Sequence, residues 1–410
     1  MYLSKYNEYQ LRENRVYVYN TRYFNSISFD ENDVDKVKKF MLNTQDTELL
    51  NLGFISKTDN ELNEIFEWYM DLKYSASHLN IMLVMNYNCN CECKYCFENL
   101  DQSFLLTKNI DIKKIVNFIL DIYKRNKSES LTLTFFGGEP LLSLENILKI
   151  TNDLNESKIN IKYLVITNGT LLTLPVLEQL FNIGIKHFQI TIDGPQQIHD
   201  IRRPCKNKKS SWKMIIDNLL IALNLDVEIT LRINIDNDNI DYFDELLSSV
   251  PKKIIDSEKT NIYIAPVVGC LNCTVAKTLK DRASVLKTAW HKISENNYPI
   301  PISPPVYAPC PRHSKESAFY LDMYGNIYTC GGFVGNIKRV EKKFSEKFQE
   351  YYERLKYIPP KSCFKCSFFP VCMGGCQFET AALGTNCQKT YLKEIYDEYF
   401  TKYCQNRKRI

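Results

Sequence analysis

The period of apolar positions shifts along this chain, and each shift marks a different kind of segment. Between residues 79 and 268, six short apolar runs (79–85, 131–136, 163–167, 187–192, 228–235 and 261–266) have the length and the β-branched and aromatic content of strands. The stretches between them keep a helical period. Ile112, Ile115, Val116, Ile119 and Tyr123 fall on one helix face. Pro175 opens and Gly184 closes a second helix, and residues 212–223 supply a third. Strands that alternate with helices predict an α/β fold with a parallel sheet, because parallel neighbours need crossover connections. Periodicity leaves open whether that sheet is flat or curled.

Residues 1–78 read as a small unit of mixed strands and helices. The first fifteen residues are polar, residues 16–21 and 23–29 suit a hairpin, and 30–42 suit a helix with acids in its first turn. A turn ending at Gly53, a short strand at 54–56 and an amphipathic stretch at 60–73 complete a winged-helix-like order with no cysteine. After residue 300 the texture changes again. Pro299, Pro301, Pro304, Pro305 and Pro309 mark a linker, and a cysteine-rich segment follows. The predicted organisation is 1–78, 79–300 and 301–410.

Charge adds little: 52 basic and 48 acidic residues leave a net +4. That balance gives no case for nucleic acid or a membrane surface as partner, and Arg407, Lys408 and Arg409 read as a solvated tail. No apolar run approaches the roughly 18 residues of a membrane span, and the polar start has no signal-peptide pattern, so the expected location is cytoplasmic. Fifteen cysteines are the anomaly. In a long chain of that kind, clustered cysteines read as metal ligands rather than disulfides.

Cys89, Cys93 and Cys96 follow the first apolar run in a C-x3-C-x2-C spacing. Three thiolates can hold three irons of a 4Fe–4S cube, which four cysteines normally close. A zinc knuckle is the competing reading, but it wants four N/S ligands, and no histidine lies near this loop. With Tyr95 just before the last cysteine, the spacing resembles the signature of radical S-adenosylmethionine (SAM) enzymes. The resemblance implies a partial (β/α)6 barrel, with SAM chelating the open iron and cleaved to a 5′-deoxyadenosyl radical. Gly137, Gly138, Glu139 and Pro140, one βα unit later, resemble the segment that binds the SAM amino group. Asn168 and Asp193 end the third and fourth strands. Asp193 opens a block through His199, Asp200 and Arg203 that resembles the sulfatase-maturase-like branch. Arg232 lies inside the fifth strand, where it could meet the SAM carboxylate. The plainer alternative is that these polar groups cap strand ends and satisfy turns.

The order C310-x14-G-x4-C330, C363-x2-C366-x5-C372-x3-C376 and then Cys387 resembles the SPASM extension of peptide- and protein-modifying radical SAM enzymes. That likeness implies an auxiliary 4Fe–4S cluster on Cys310, Cys330 and Cys376 and another on Cys363, Cys366, Cys372 and Cys387, three clusters in all. The first auxiliary cluster is one ligand short. Cys270 or Cys273 could complete it, or its iron is open to substrate. Cys91, Cys205 and Cys404 read as ordinary buried or free thiols.

The resemblance further implies an oxidoreductase acting on a peptide, with ferredoxin or flavodoxin as electron donor. Anaerobic sulfatase maturases place an Asp base beside the second SPASM cysteine, whereas Gly331 and Gly332 follow Cys330 here. The leading unit resembles the leader-recognition element of enzymes that mature ribosomally made peptides. The expected function is therefore maturation of a Cys-containing precursor peptide with a leader, by thioether cross-linking. Formylglycine generation, epimerisation and C–C cross-linking are the alternatives.

Overall fold

The computed structural model describes residues 1–96, 111–268, 278–306, 310, 313–314, 317–328, 330–335, 342–343, 358–384, 387–404 and 408–409. Cys270 and Cys273 lie outside these residues.

The N-terminal strands are β1 (Tyr2–Leu3), β2 (Asn7–Arg12), β3 (Arg15–Asn20), β4 (Asn25–Phe29) and β5 (Ile55–Ser56). β2, β3 and β4 form an antiparallel meander, and β1 pairs with β5. Val16, Val18 and Ile27 bury one face of the meander against Val37 and Met41 of the helix Val34–Asn43. Asp33 caps that helix by accepting from the N–H groups of Asp35 and Lys36. β1 and β2 fall in the start that the sequence reading left as merely polar. The polar residues of β2 are one side of a half-exposed edge strand.

The six predicted central strands are present: β6 (His78–Val84), β7 (Ser130–Phe136), β8 (Ile161–Thr167), β9 (His187–Ile192), β10 (Glu228–Ile235) and β11 (Thr260–Pro266). They lie in sequential order and every pair is parallel. Helices connect them, among them Leu144–Asn155, Leu174–Asn182 and Ser211–Ala222. Alternation along each strand separates two faces. Leu131, Leu133 and Phe135 of β7, and Ile229, Leu231 and Ile233 of β10, are buried in the main core with Ile147, Ile150, Leu177 and Leu219 of those helices. The other face carries Thr132 and Thr134, Gln189 and Thr191, then Arg232 and Asn234. One side of the sheet is therefore closed by helices, and the polar side is left for chemistry at the C-terminal strand ends.

β12 (Ala318–Asp322) extends this sheet beyond β6 as a further parallel strand, followed antiparallel by β13 (Asn326–Tyr328) and β14 (Lys342–Lys343). Sequence reading found no strand here, because β12 and β13 are short and sit in cysteine-punctuated chain. The C-terminal segment also holds the N-terminal sheet. Tyr19 stacks on Phe400 at 4.6 Å and donates to Asp397 at 2.8 Å, while the Tyr6 hydroxyl donates to Phe364 O at 3.0 Å. Lys408 and Arg409 are not a solvated tail. They form β15, parallel to β4, because the outer edge of β4 offers unpaired backbone groups.

Candidate active site

The cysteine loop leaves β6 under tight backbone restraint. Gly138 N–H donates to Asn86 O at 3.1 Å and Glu139 N–H to Asn88 O at 2.8 Å. A Cβ on Gly137 would stand 2.3 Å from Asn86 O, and one on Gly138 2.4 Å from Asn88 O. These two glycines are thus required by the approach of the loop that leads to Cys89. Cys89, Cys93 and Cys96 grade from half-buried to exposed. Hydrogen bonds from the Cys91 thiol, the Cys91 N–H and the Asn168 amide hold Cys89 below the ordinary thiol range, against the effect of burial. That shift favours the thiolate, which is the form that binds metal.

Glu139 is fully buried and already well partnered. One carboxylate oxygen accepts from Thr167 Oγ1 at 2.7 Å and Leu141 N–H at 3.0 Å, and the other from Asn168 N–H at 2.8 Å. Burial pushes its pKa up to about 7, with these three donors opposing. Glu139 therefore ties the end of β7 to the end of β8. Asn168 continues the tie: its amide donates to Asn90 Oδ1 at 2.7 Å and approaches Cys89 Sγ at 3.8 Å. Pro140 starts the short turn Pro140–Ser143 that follows.

The remaining predicted residues meet around Tyr95. Its hydroxyl donates to Asp193 Oδ2 and accepts from Arg203 Nη1 at 2.5 Å and Asn234 Nδ2 at 3.0 Å. Asn234 in turn accepts from Arg232 Nε at 2.8 Å, so a continuous polar path runs from the cysteine loop to β10. Burial raises the Tyr95 pKa; Arg203 opposes this and Asp193 adds to it, so Tyr95 stays a donor. Asp193 is fully buried, and its Oδ1 has no hydrogen-bond partner. His199 Nδ1 accepts from Asp193 N–H at 3.1 Å, and burial keeps the ring neutral. His199 is thus a turn-holding group, as is Arg202, whose guanidinium grips Asp236 at 2.6 and 3.0 Å. Arg203, Asn234 and Tyr95 as a hub were not assigned from sequence; only the motif position of Tyr95 and the Arg203 of the quoted block hinted at them.

The C-terminal cysteines fall into two neighbourhoods. Burial raises the Cys330 thiol to about 12, with Cys376 and Cys310 adding to the shift, and Cys376 rises to about 11. Cys372 likewise rises to about 12 through burial, then Cys366 and Cys387, and Cys363 rises with the same two neighbours. The turn between Cys372 and Cys376 joins the two groups, with Met373, Gly374 and Gly375 at φ of 48°, 88° and 88°. Successive left-handed residues explain the paired glycines there. Among the described residues no three His, Cys, Asp or Glu side chains converge on a single metal ion; these are looser sulfur neighbourhoods. Thiols that oppose one another's ionisation suit a bound cationic centre, which relieves that repulsion. Grouped thiols are the donor type that iron–sulfur clusters take.

Residues 83–250 match the Radical SAM superfamily. This stretch is a radical SAM domain. The sequence is similar to the radical SAM cyclopropyl synthase TigE of Paramaledivibacter caminithermalis, 25% identical over 72% of this chain and 67% of TigE. It is also similar to a cysteine-type anaerobic sulfatase-maturating enzyme of Clostridium novyi, 24% identical over 71% of this chain and 85% of that one. The fold matches Streptococcus suis SuiB bound to precursor peptide SuiA, with a TM-score of 0.53, 15% identity, and coverage of 92% of this chain and 95% of SuiB. The radical SAM domain takes in β7 to β10 and every residue of the Tyr95 network. No helix among the described residues is long and apolar enough to cross a membrane.

Proposed function

We propose that this chain is a radical SAM peptide maturase that forms thioether cross-links in a ribosomally made, Cys-containing precursor. Cys89, Cys93 and Cys96 would hold the cluster that, with SAM, would supply a 5′-deoxyadenosyl radical for hydrogen removal from the acceptor residue. The protein's own groups then have clear tasks. Glu139 and Asn168 fix the loop that carries Cys89, and Asp193, with its unpartnered oxygen, and Arg232 offer opposite charges on the polar face to the two ends of the SAM methionine moiety. Cys363, Cys366, Cys372 and Cys387 would hold one auxiliary cluster. Cys310, Cys330 and Cys376 would hold the other with one position left for the donor thiolate of the peptide, since thiolates are strong ligands for such clusters. A ferredoxin- or flavodoxin-type protein would supply electrons. The unit over residues 1–78 would take the leader by strand addition.

The observation that carries this reading is the Cys330-Gly331-Gly332 turn. A Cβ on Gly331 would stand 2.7 Å from the Tyr320 ring, and one on Gly332 2.2 Å from the Phe378 ring. Neither of the two positions after Cys330 carries an acidic side chain, which disfavours formylglycine generation by a base at that point. The SuiB likeness, taken with a peptide bound to SuiB, supports a peptide substrate. The similarity to TigE keeps C–C bond formation as a second reading.

The test is to incubate reconstituted enzyme, SAM and reductant with a Cys-containing peptide from a short open reading frame sought beside its gene. Loss of two hydrogens per bond, with the Cys no longer alkylatable, is expected; a free Cys with the same mass loss favours the C–C reading. Unchanged mass with a D-residue found on hydrolysis would mean epimerisation. Replacing Cys89, Cys93 and Cys96 together by Ala should abolish 5′-deoxyadenosine formation.

A further inference from the structure

Cys91 lies between two cysteines of the cluster loop, yet its sulfur meets Cys205, Sγ to Sγ at 3.3 Å. The two residues form an isolated antiparallel bridge. Its hydrogen bonds flank the pair: Glu92 N–H donates to Pro204 O at 2.8 Å and Lys206 N–H to Asn90 O at 2.9 Å. Cys91 and Cys205 therefore occupy a non-hydrogen-bonded position, where opposed Cα atoms stand about 4.5 Å apart and side chains lie closest. Disulfides span Cα separations of about 4.4–6.8 Å, so the backbone is already placed for one. Both thiols are free and buried. Their neighbours Glu92 and Lys206 are exposed, which puts the pair one residue beneath the surface.

We infer that Cys91 and Cys205 are a reversible cross-strand disulfide site, closed by exchange with a low-molecular-weight disulfide. One cysteine sulfur attacks the reagent and releases one small thiol; the other cysteine then displaces the second. The two protein thiols give up two protons and two electrons, and the reagent is reduced to two thiols. The bond ties the loop bearing Cys89 and Cys93 to the segment just after Arg203, so both sides of the Tyr95 hub are held together. Closing it removes the hydrogen bond that the Cys91 thiol gives Cys89 and moves that thiol onto a partner outside the metal ligands. Cys89, Cys93 and Cys96 are thereby kept from mispairing with it.

The full-length, iron–sulfur-loaded protein is treated anaerobically with oxidised glutathione, then alkylated and mapped without reduction, with fragment ions to assign each cysteine. The expected product is a single Cys91–Cys205 link, two hydrogens lighter, that dithiothreitol reverses. Cys205→Ser is expected to form no internal link and to keep SAM cleavage under reducing conditions. A link from Cys91 to Cys89 or Cys93 would overturn the inference. So would a glutathione adduct that never resolves, or both thiols staying alkylatable after Cys404 has reacted.

Discussion

The Tyr87 hydroxyl donates to Asp322 Oδ2 at 2.7 Å, and this contact joins the segment entering the Cys89 loop to the end of β12. Tyr87 stands two residues before Cys89, and Asp322 closes β12, the strand that leads through β13 to Cys330. Tyr328 reaches the same oxygen at 3.1 Å, and Asn326 and the Tyr324 N–H supply further donors. One buried carboxylate therefore fixes the cluster loop relative to the first C-terminal cysteine group. Asp322→Ala would take the shared acceptor from these buried donors, at about 1–3 kcal/mol for each not re-satisfied. The expected result is a loss of at least about 3 kcal/mol in unfolding experiments, with less iron per chain in the folded fraction. Wild-type stability and iron content in this variant would show that the carboxylate is dispensable.

Glu139 should write a pH dependence into stability. Its pKa rises from 4.5 unfolded to about 7 folded, chiefly through burial. The folded state thus binds the proton more tightly, so this group's contribution is most favourable below pH 4.5 and is lost as pH rises through about 7. Glu139→Gln removes the titration but keeps the shape. Denaturant unfolding of the wild type and this variant between pH 5 and 8 should show a difference in slope worth a few kcal/mol, roughly, across that window. Parallel curves would show that Glu139 does not titrate there.

Gly332→Ala tests the packing behind the second C-terminal cysteine. The added methyl meets the Phe378 ring, and overpacking of this kind costs about 1–3 kcal/mol. A lower melting temperature and slower loading of the Cys310, Cys330 and Cys376 group are expected. Unchanged iron content and melting would mean the ring moves aside freely.

Deleting residues 1–78 is expected to leave SAM cleavage in place while abolishing peptide modification. The structure adds a second expected effect: removal of Tyr6 and Tyr19 uncovers Phe364, Tyr396 and Phe400, so the melting temperature should also fall. Full processing of a leader-bearing peptide by the truncated enzyme would assign these residues another role.

The central strands were legible because each is a short apolar run bounded by turn residues, and helices such as Ile112–Arg125 were legible from a single apolar face. β2 and β15 were not, since an edge strand needs no apolar alternation once its partner supplies the hydrogen bonds. The cysteine groups were expected from the resemblance that their order carries, not from the spacing by itself. The Tyr95 hub was not, because Tyr95, Asp193, Arg203 and Asn234 come together only when β9 and β10 bring their ends to the same point. Gly137 and Gly138 were singled out by their resemblance to a SAM-binding segment; their close packing on the backbone of Asn86 and Asn88 was not legible from that.

The contact between Tyr19 and Asp397 spans 378 residues. At about 5–20 residues per second, a ribosome needs roughly 20–75 s to make the second partner after the first. Throughout that interval the early meander lacks both the aromatic helix that covers Tyr19 and the strand that pairs with β4. Until those residues are made, the nascent chain therefore presents a bare sheet edge and an uncovered aromatic face.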